Sequence, residues 1–159
     1  MSNGLKVLEI ALKEVGTKED PPGTNKQKYG RWFGWSGVPW CAEFVSWCYA
    51  MAGVPLGNVG YPKGYAGCAY GLSHYRKTGE ITTNPQPGDI VFFDWNGDGR
   101  PDHTGIFKRH IDSLTFETVE GNTAIGNDSN GGEVMIRNPR KYKQATFVHP
   151  KVLDLVLGV

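Results

Sequence analysis

Few cysteines, no long apolar run and no excess of either charge mark this chain, and each absence excludes something. Three cysteines, Cys41, Cys48 and Cys68, cannot form a fully paired framework, and none stands in the C-x-x-C spacing of a zinc site. At least one thiol is therefore free, and a small buried hydrophobe is the plainest reading of any one of them. No apolar run approaches the roughly 18 residues needed to span a bilayer, so membrane insertion is not expected. Lys and Arg total 17 against 16 Asp and Glu, a net +1 that excludes a broad basic field and, with it, nucleic-acid binding by charge. Gly and Pro, 22 and 10 of 159 residues, stay below the level that signals disorder. The start, Met1-Ser2-Asn3-Gly4, lacks the charged-then-apolar profile of a secretory signal, so the protein leaves the cytosol by another route or has been trimmed. A chain of this length argues for one domain, large enough to hold its core without disulfides or a structural metal.

The apolar spacing of Leu5–Val15 predicts an amphipathic helix that stops near Gly16. Residues Thr17–Gly37 are rich in Pro, Gly and polar groups but dotted with aromatics. A loop of that length is unusual unless it lines a groove. Pro39–Gly53 reads as a buried helix of about three turns, entered at Pro39 and ended by Gly53 and Pro55. A short helical pattern follows near Ala69–Lys77. After Pro85 and Pro87 the period changes: Asp89–Trp95, His103–His110, Thr115–Glu120, Glu133–Arg137 and Ala145–His149 are short β-branched and aromatic runs bounded by turn residues, and read as strands. With no crossover helix between them they form an antiparallel sheet, and helices followed by strands predict an α+β domain. That domain spans residues 1–150. The apolar tail, residues 151–159, reads as the start of a connection to a removed second domain.

Cys41 falls at the start of the buried helix, where free backbone N–H groups and the helix dipole favour a thiolate. Cys48 lies about two turns, roughly 10 Å, further along, too far to share a site, and suits the core. A thiolate nucleophile needs a proton partner, normally His. Of His74, His103, His110 and His149, only His103 opens a strand directly after a tight loop, where sites are built. An imidazole also needs an orienting group on its second nitrogen. Glu120 and Asn122 stand two apart in one strand, hence on one side of the sheet. Glu120 closes a run with Phe116 and Val119, an odd place for a carboxylate without a partner.

Pro39-Trp40-Cys41-Ala42-Glu43-Phe44-Val45-Ser46-Trp47-Cys48, then Gly88-Asp89-Ile90-Val91-Phe92-Phe93, Asp102-His103-Thr104-Gly105-Ile106 and Val119-Glu120-Gly121-Asn122-Thr123 closely resemble the CHAP domain, the cysteine, histidine-dependent amidohydrolase/peptidase. The four blocks occur in order across about Leu5 to His149. The resemblance implies a papain-like fold, with N-terminal helices packed on a five- to six-stranded antiparallel sheet. It also implies peptidoglycan as the partner and the bacterial cell wall as the place of action, reached by lysis or from a phage particle, with a separate wall-binding domain in a longer protein. Carried over, it makes Cys41 the nucleophile, His103 base and then acid, Glu120 the orienter and Asn122 a further polar partner. The bond stays open between muramoyl–L-alanine and a peptide stem or bridge. The chemistry needs no cofactor.

Asp94, Asn96, Asp98 and Asp102 occupy positions 1, 3, 5 and 9 of a calcium-loop pattern, with Arg100 at position 7 and Gly99 at 6. Position 12 is Gly105 rather than Glu, so a structural Ca²⁺ loop and a hairpin turn built on Asn-Gly and Asp-Gly steps both remain open. Asn25, Tyr29, Trp40 and Trp95 are candidate substrate contacts, with plain packing under a loop the favoured alternative for the aromatic rings. Asn25, Gln27 and Tyr29 are candidates for a second oxyanion donor beside the Cys41 backbone N–H. A catalytically silent wall-binding module and a calcium-stabilised structural domain are the competing classes; neither uses the Cys41–His103 pair for hydrolysis.

Overall fold

A computed structural model describes residues 1–156; the end of the apolar tail, residues 157–159, lies outside them. Helix α1 spans Asn3–Lys13, opened by the Ser2 hydroxyl, which accepts the Leu5 N–H at 3.1 Å. Its Val7, Leu8 and Ala11 face inward. Helix α2, Lys28–Phe33, lies inside the segment expected to be loop. The Gln27 side chain caps it by accepting the Gly30 N–H at 2.8 Å, and Gly34 ends it in a left-handed conformation. Six residues between glycine- and proline-rich flanks are too few to show a helical period. Helices α3, Cys41–Met51, and α4, Cys68–Thr78, fall within about two residues of the expected ranges.

The strands are β1 (Ile81–Thr82), β2 (Ile90–Phe93), β3 (His103–His110), β4 (Thr115–Thr123), β5 (Glu133–Lys141) and β6 (Ala145–Val148). They form one antiparallel sheet in the order β1-β6-β2-β3-β4-β5. The two-residue β1 is too short to read from the sequence. The other five strands are those the β-branched and aromatic runs predict.

The sheet is buried on both faces. The helices cover one, where Trp40, Phe44, Tyr49, Ile90, Ile106 and Val119 form the main core. On the other, Val91, Phe93, Phe107, Phe116 and Phe147 make a second cluster flanked by Trp95 and Tyr142. Double burial explains why β2, Ile-Val-Phe-Phe, is an unbroken apolar run rather than an alternating one. A 3₁₀ turn at Lys151–Asp154 buries Leu153, and Asn3 Nδ2 donates to the carbonyls of Leu153 and Leu155 at 3.1 and 2.8 Å. The first part of the tail is thereby tied to α1. Among the described residues no helix is long and apolar enough to cross a membrane. The α+β class and the papain-like placing of N-terminal helices on an antiparallel sheet are as expected.

Candidate active site

Cys41 is the first residue of α3, and its N-cap, Trp40, offers no side-chain hydrogen bond to the helix end. The hydrogen-bond ladder begins with the Phe44 N–H, which donates to the Trp40 carbonyl at 3.0 Å. The amides of Cys41, Ala42 and Glu43 thus precede it, at the positive end of the helix where Cys41 sits. Three further groups act on its sulfur. Cys68 Sγ lies 3.8 Å away, and His103 and the Thr104 backbone also favour its charged form. The thiol contact from Cys68 and the imidazolium, outweighing burial, hold the Cys41 thiol well below its ordinary value.

His103 opens β3 and is fully buried. Its Nε2 is 2.9 Å from Glu120 Oε1, which leaves Nδ1, a buried nitrogen without a hydrogen-bond partner, as the atom that can serve Cys41. Burial alone would depress this histidine. The negative charge of Cys41 and the hydrogen-bonded Glu120 carboxylate overcome that and raise it to about 9. Phe93 pairs with His103 in register and stacks on its ring at 6.0 Å, while Trp95 stacks beyond at 6.4 Å. These rings shield the imidazole from water.

Glu120 is fully buried on β4 and tied on both oxygens. Arg140 Nη2 donates to Oε1 at 2.6 Å and Nε to Oε2 at 2.8 Å, a bidentate pair, and the Thr118 hydroxyl also donates to Oε2. Burial pushes this carboxyl up, but His103 and Arg140 outweigh it and hold it at about 2. Arg140 continues to Asp128 at 3.1 Å and lies over the Trp95 ring at 4.9 Å. The cramped seat of Glu120 accounts for Gly105, where a Cβ would come within 2.6 Å of Glu120 Cγ, while the packing of α3 on β4 accounts for Gly121, where one would come within 2.7 Å of Phe44 Cβ.

His103 and Glu120 are thus in direct contact, and Cys41 lies where the charge of His103 acts on its sulfur. Asn122 does not join them. Alternation put it beside Glu120, but the ladder shifts register between Glu120 and Thr123, and Asn122 adopts a left-handed φ of 57°. Its side chain accepts the Gly132 N–H at 3.0 Å and donates to Asn130 Oδ1 at 3.1 Å, closing the β4–β5 loop. Tyr29 and Trp40 also need correction as substrate contacts. Both are fully buried, with the Tyr29 hydroxyl on Glu14 at 2.8 Å and Trp40 Nε1 on Glu19 at 2.9 Å, because aromatic area gains most by packing under the loop. The Gln27 amide caps α2 and donates to the Asn25 carbonyl at 3.2 Å. Asn25 is part-exposed and sits at a φ of 56°, with its N–H donating to Glu19. Trp95 is part-buried, a wall for His103. Arg140 and Cys68 carried no signal in the sequence.

The loop of Asp94, Asn96, Asp98, Arg100 and Asp102 closes on its own backbone. Asp94 accepts the N–H groups of Gly97, Asp98 and Gly99, Asp98 that of Arg100, and Asp102 that of Trp95. Among the described residues no group of three or more His, Cys, Asp or Glu is gathered to hold a metal ion. The loop's visible work is to join β2 to β3 and bring His103 to its place.

Glu43 is a feature the sequence did not flag. It is fully buried in the first turn of α3, and neither carboxyl oxygen has a hydrogen-bond partner. Burial, then the Cys41 charge, pushes it up from 4.5 to about 8, so it is mostly neutral at pH 7. The folded state thus holds a proton that the unfolded chain releases, and stability falls as pH rises from about 4.5 to about 8. Glu43→Gln is expected to remove that slope and to be more stable than wild type at pH 8 by on the order of 2 kcal/mol. Urea unfolding at pH 5 and pH 8 checks this; parallel pH dependences in the two proteins would refute it.

A family model described as CHAP domain matches residues 32–122, more than half of the chain. No curated protein matches. The matched stretch runs from the end of α2 to Asn122, and so holds Cys41, His103 and Glu120 but not Arg140. With that match on a helix-and-sheet frame that sets a cysteine against a histidine, the chain belongs to the CHAP domain family of peptidoglycan-hydrolysing amidases and peptidases.

Proposed function

We propose that the protein is a cysteine amidase or endopeptidase that cuts an amide bond of bacterial peptidoglycan, with Cys41 as nucleophile, His103 as proton carrier and Glu120 as the group that orients it. The observation that carries this reading is the buried line His103–Glu120–Arg140, which fixes one nitrogen of the imidazole on a carboxylate and leaves the other free, with Cys41 at a helix start favoured as a thiolate by the histidine's charge. That is the arrangement nucleophilic acyl transfer requires.

The steps follow from these groups. Cys41 Sγ attacks the amide carbon, and the Cys41 backbone N–H, free at the helix start, donates to the developing oxyanion. His103 passes its Nδ1 proton to the amide nitrogen, the C–N bond breaks and the amine leaves, so a thioester remains. Water then gives a proton to His103 as it attacks the thioester carbon. The C–S bond breaks, releasing a carboxylic acid and restoring the thiolate–imidazolium pair. Cys41 keeps 6% of its surface open while His103 and Glu120 keep none, so of the three only Cys41 meets solvent. Elsewhere on the surface, Trp35 and Tyr61 are exposed with ring centroids 5.7 Å apart, a pair of faces suited to a sugar or peptide.

Incubation with purified sacculi and mass analysis of the released fragments tests the reading and identifies the bond. A free lactyl carboxylate with a new L-alanine amine marks an amidase, and a new amine within the stem or bridge marks an endopeptidase. Unchanged sacculi would end it. In the same assay the rate is expected to fall in acid as Cys41 gains a proton, and again above about pH 9 as His103 loses the one it donates.

A further inference from the structure

The proposed chemistry uses one of the three cysteines, yet a second stands beside it. Cys68, the first residue of α4, is half-buried, and its sulfur is 3.8 Å from that of Cys41. Cys48 cannot compete for this place, being fully buried and about 10 Å along α3 from Cys41. A disulfide needs its sulfurs about 2.05 Å apart, so these two have less than 2 Å to close. The chain before Cys68 allows the movement: Gly67 carries no side chain, and nothing lies within 4 Å of where its Cβ would be. The two thiols also differ in character. The contact with Cys41, together with burial, pushes Cys68 well above its ordinary value, so it is held as a thiol against a thiolate. An easily ionised cysteine with a second sulfur in contact is the pairing by which peroxide-reactive thiols form a disulfide instead of passing to irreversible acids.

We propose that Cys41 and Cys68 are a reversible oxidative modification site, joined by peroxide in a disulfide that removes the nucleophile and returned to active thiols by a dithiol reductant. The consequence for activity rests on Cys41 being the nucleophile; the cross-link itself needs only the two sulfurs. Cys41 thiolate attacks one peroxide oxygen and the O–O bond breaks. The departing hydroxide takes the proton of His103 and leaves as water, and Cys41, oxidised by two electrons, becomes a sulfenic acid. Cys68 gives its proton to His103 and attacks the Cys41 sulfur. The S–O bond breaks, and the second hydroxide regains that proton and leaves as water. One peroxide is reduced, two waters form, and the disulfide remains. The reductant reverses this by exchange, its own dithiol becoming the oxidised product.

The test treats the full chain, wild type and variant alike, with equimolar and with excess hydrogen peroxide and follows intact mass, peptide mapping and hydrolysis of sacculi before and after dithiothreitol. Wild type is expected to lose two hydrogens in mass, to yield a Cys41–Cys68 cross-linked peptide, and to fall about tenfold or more in activity before recovering with dithiothreitol. In Cys68→Ser, each sample being compared with its own reduced state, excess peroxide is expected to add oxygen to Cys41 irreversibly, so that recovery is lost. Oxidised wild type that carries oxygen on Cys41 without the cross-link overturns the proposal, as does recovery in Cys68→Ser equal to wild type. A cross-link in a protein that never hydrolyses sacculi when reduced keeps the modification site and removes the proposed function instead.

Discussion

Replacing Cys41 by alanine is expected to lower hydrolysis of sacculi by about 10⁴-fold or more, the loss that follows removal of a nucleophile acting as a unit with its base. What remains would come from binding and the helix-end amides alone. The fold should survive. Cys41 is a small side chain at the edge of the main core, and deleting its sulfur leaves a cavity worth about 1 kcal/mol. The groups around it have support of their own: Thr104 donates its hydroxyl to the Val91 carbonyl at 2.8 Å, and His103 keeps Glu120. The variant is therefore expected to unfold in urea within about 1 kcal/mol of wild type while releasing no fragments above background. Turnover at the wild-type rate by such a variant would leave the cysteine without a chemical role.

Glu120 carries the second large effect, and there stability and activity separate by substitution. Glu120→Ala strands the Arg140 guanidinium and the His103 imidazolium in a buried setting, a loss on the order of 3–5 kcal/mol. Glu120→Gln keeps the shape and one acceptor but not the charge. It is expected to stay folded while losing about 10²- to 10⁴-fold in activity, as the imidazolium is no longer stabilised or held in its working tautomer. The acid stability curve gives an independent readout. The folded carboxyl titrates at about 2 against 4.5 for a free glutamate, so its contribution is present above 4.5 and is lost as pH falls towards 2. That difference corresponds to roughly 3 kcal/mol, which wild type should lose over that range and Glu120→Ala should not. Equal acid sensitivity in the two proteins would show that Glu120 is not ionised in the fold. The Glu120 seat depends on Arg140, which reaches it from β5, beyond the stretch shared with the family.

Much of the site was legible because it is local. The helix start at Cys41 follows from Pro39 and the apolar spacing after it, and the same spacing puts Cys48 two turns away in the core. His103 was singled out by the tight loop before its strand, and Glu120 by a carboxylate in an apolar run. Alternation failed two residues later at Asn122, because a bulge resets the side-chain period and no residue there announces it. Helix α2 escaped notice because its six residues make too few turns for a periodic signal. Tyr29 and Trp40 were placed at the groove because a loop rich in polar residues hides the core beneath it. Burial depends on what packs above a ring, which the ring's neighbours in sequence do not specify.

The amino-acid sequence by itself determined the helices-then-strands order, the cysteine at a helix end and the histidine at a strand start, since capping, turns and period act over a few residues. The tertiary structure alone decided that Arg140 clamps Glu120, that Asn122 turns to another loop, that Glu43 is buried without a partner, and that Cys68 touches Cys41. Each of these depends on the distance between groups far apart along the chain. Only the packing of sheet and helices sets that distance, and with it the charge each group carries.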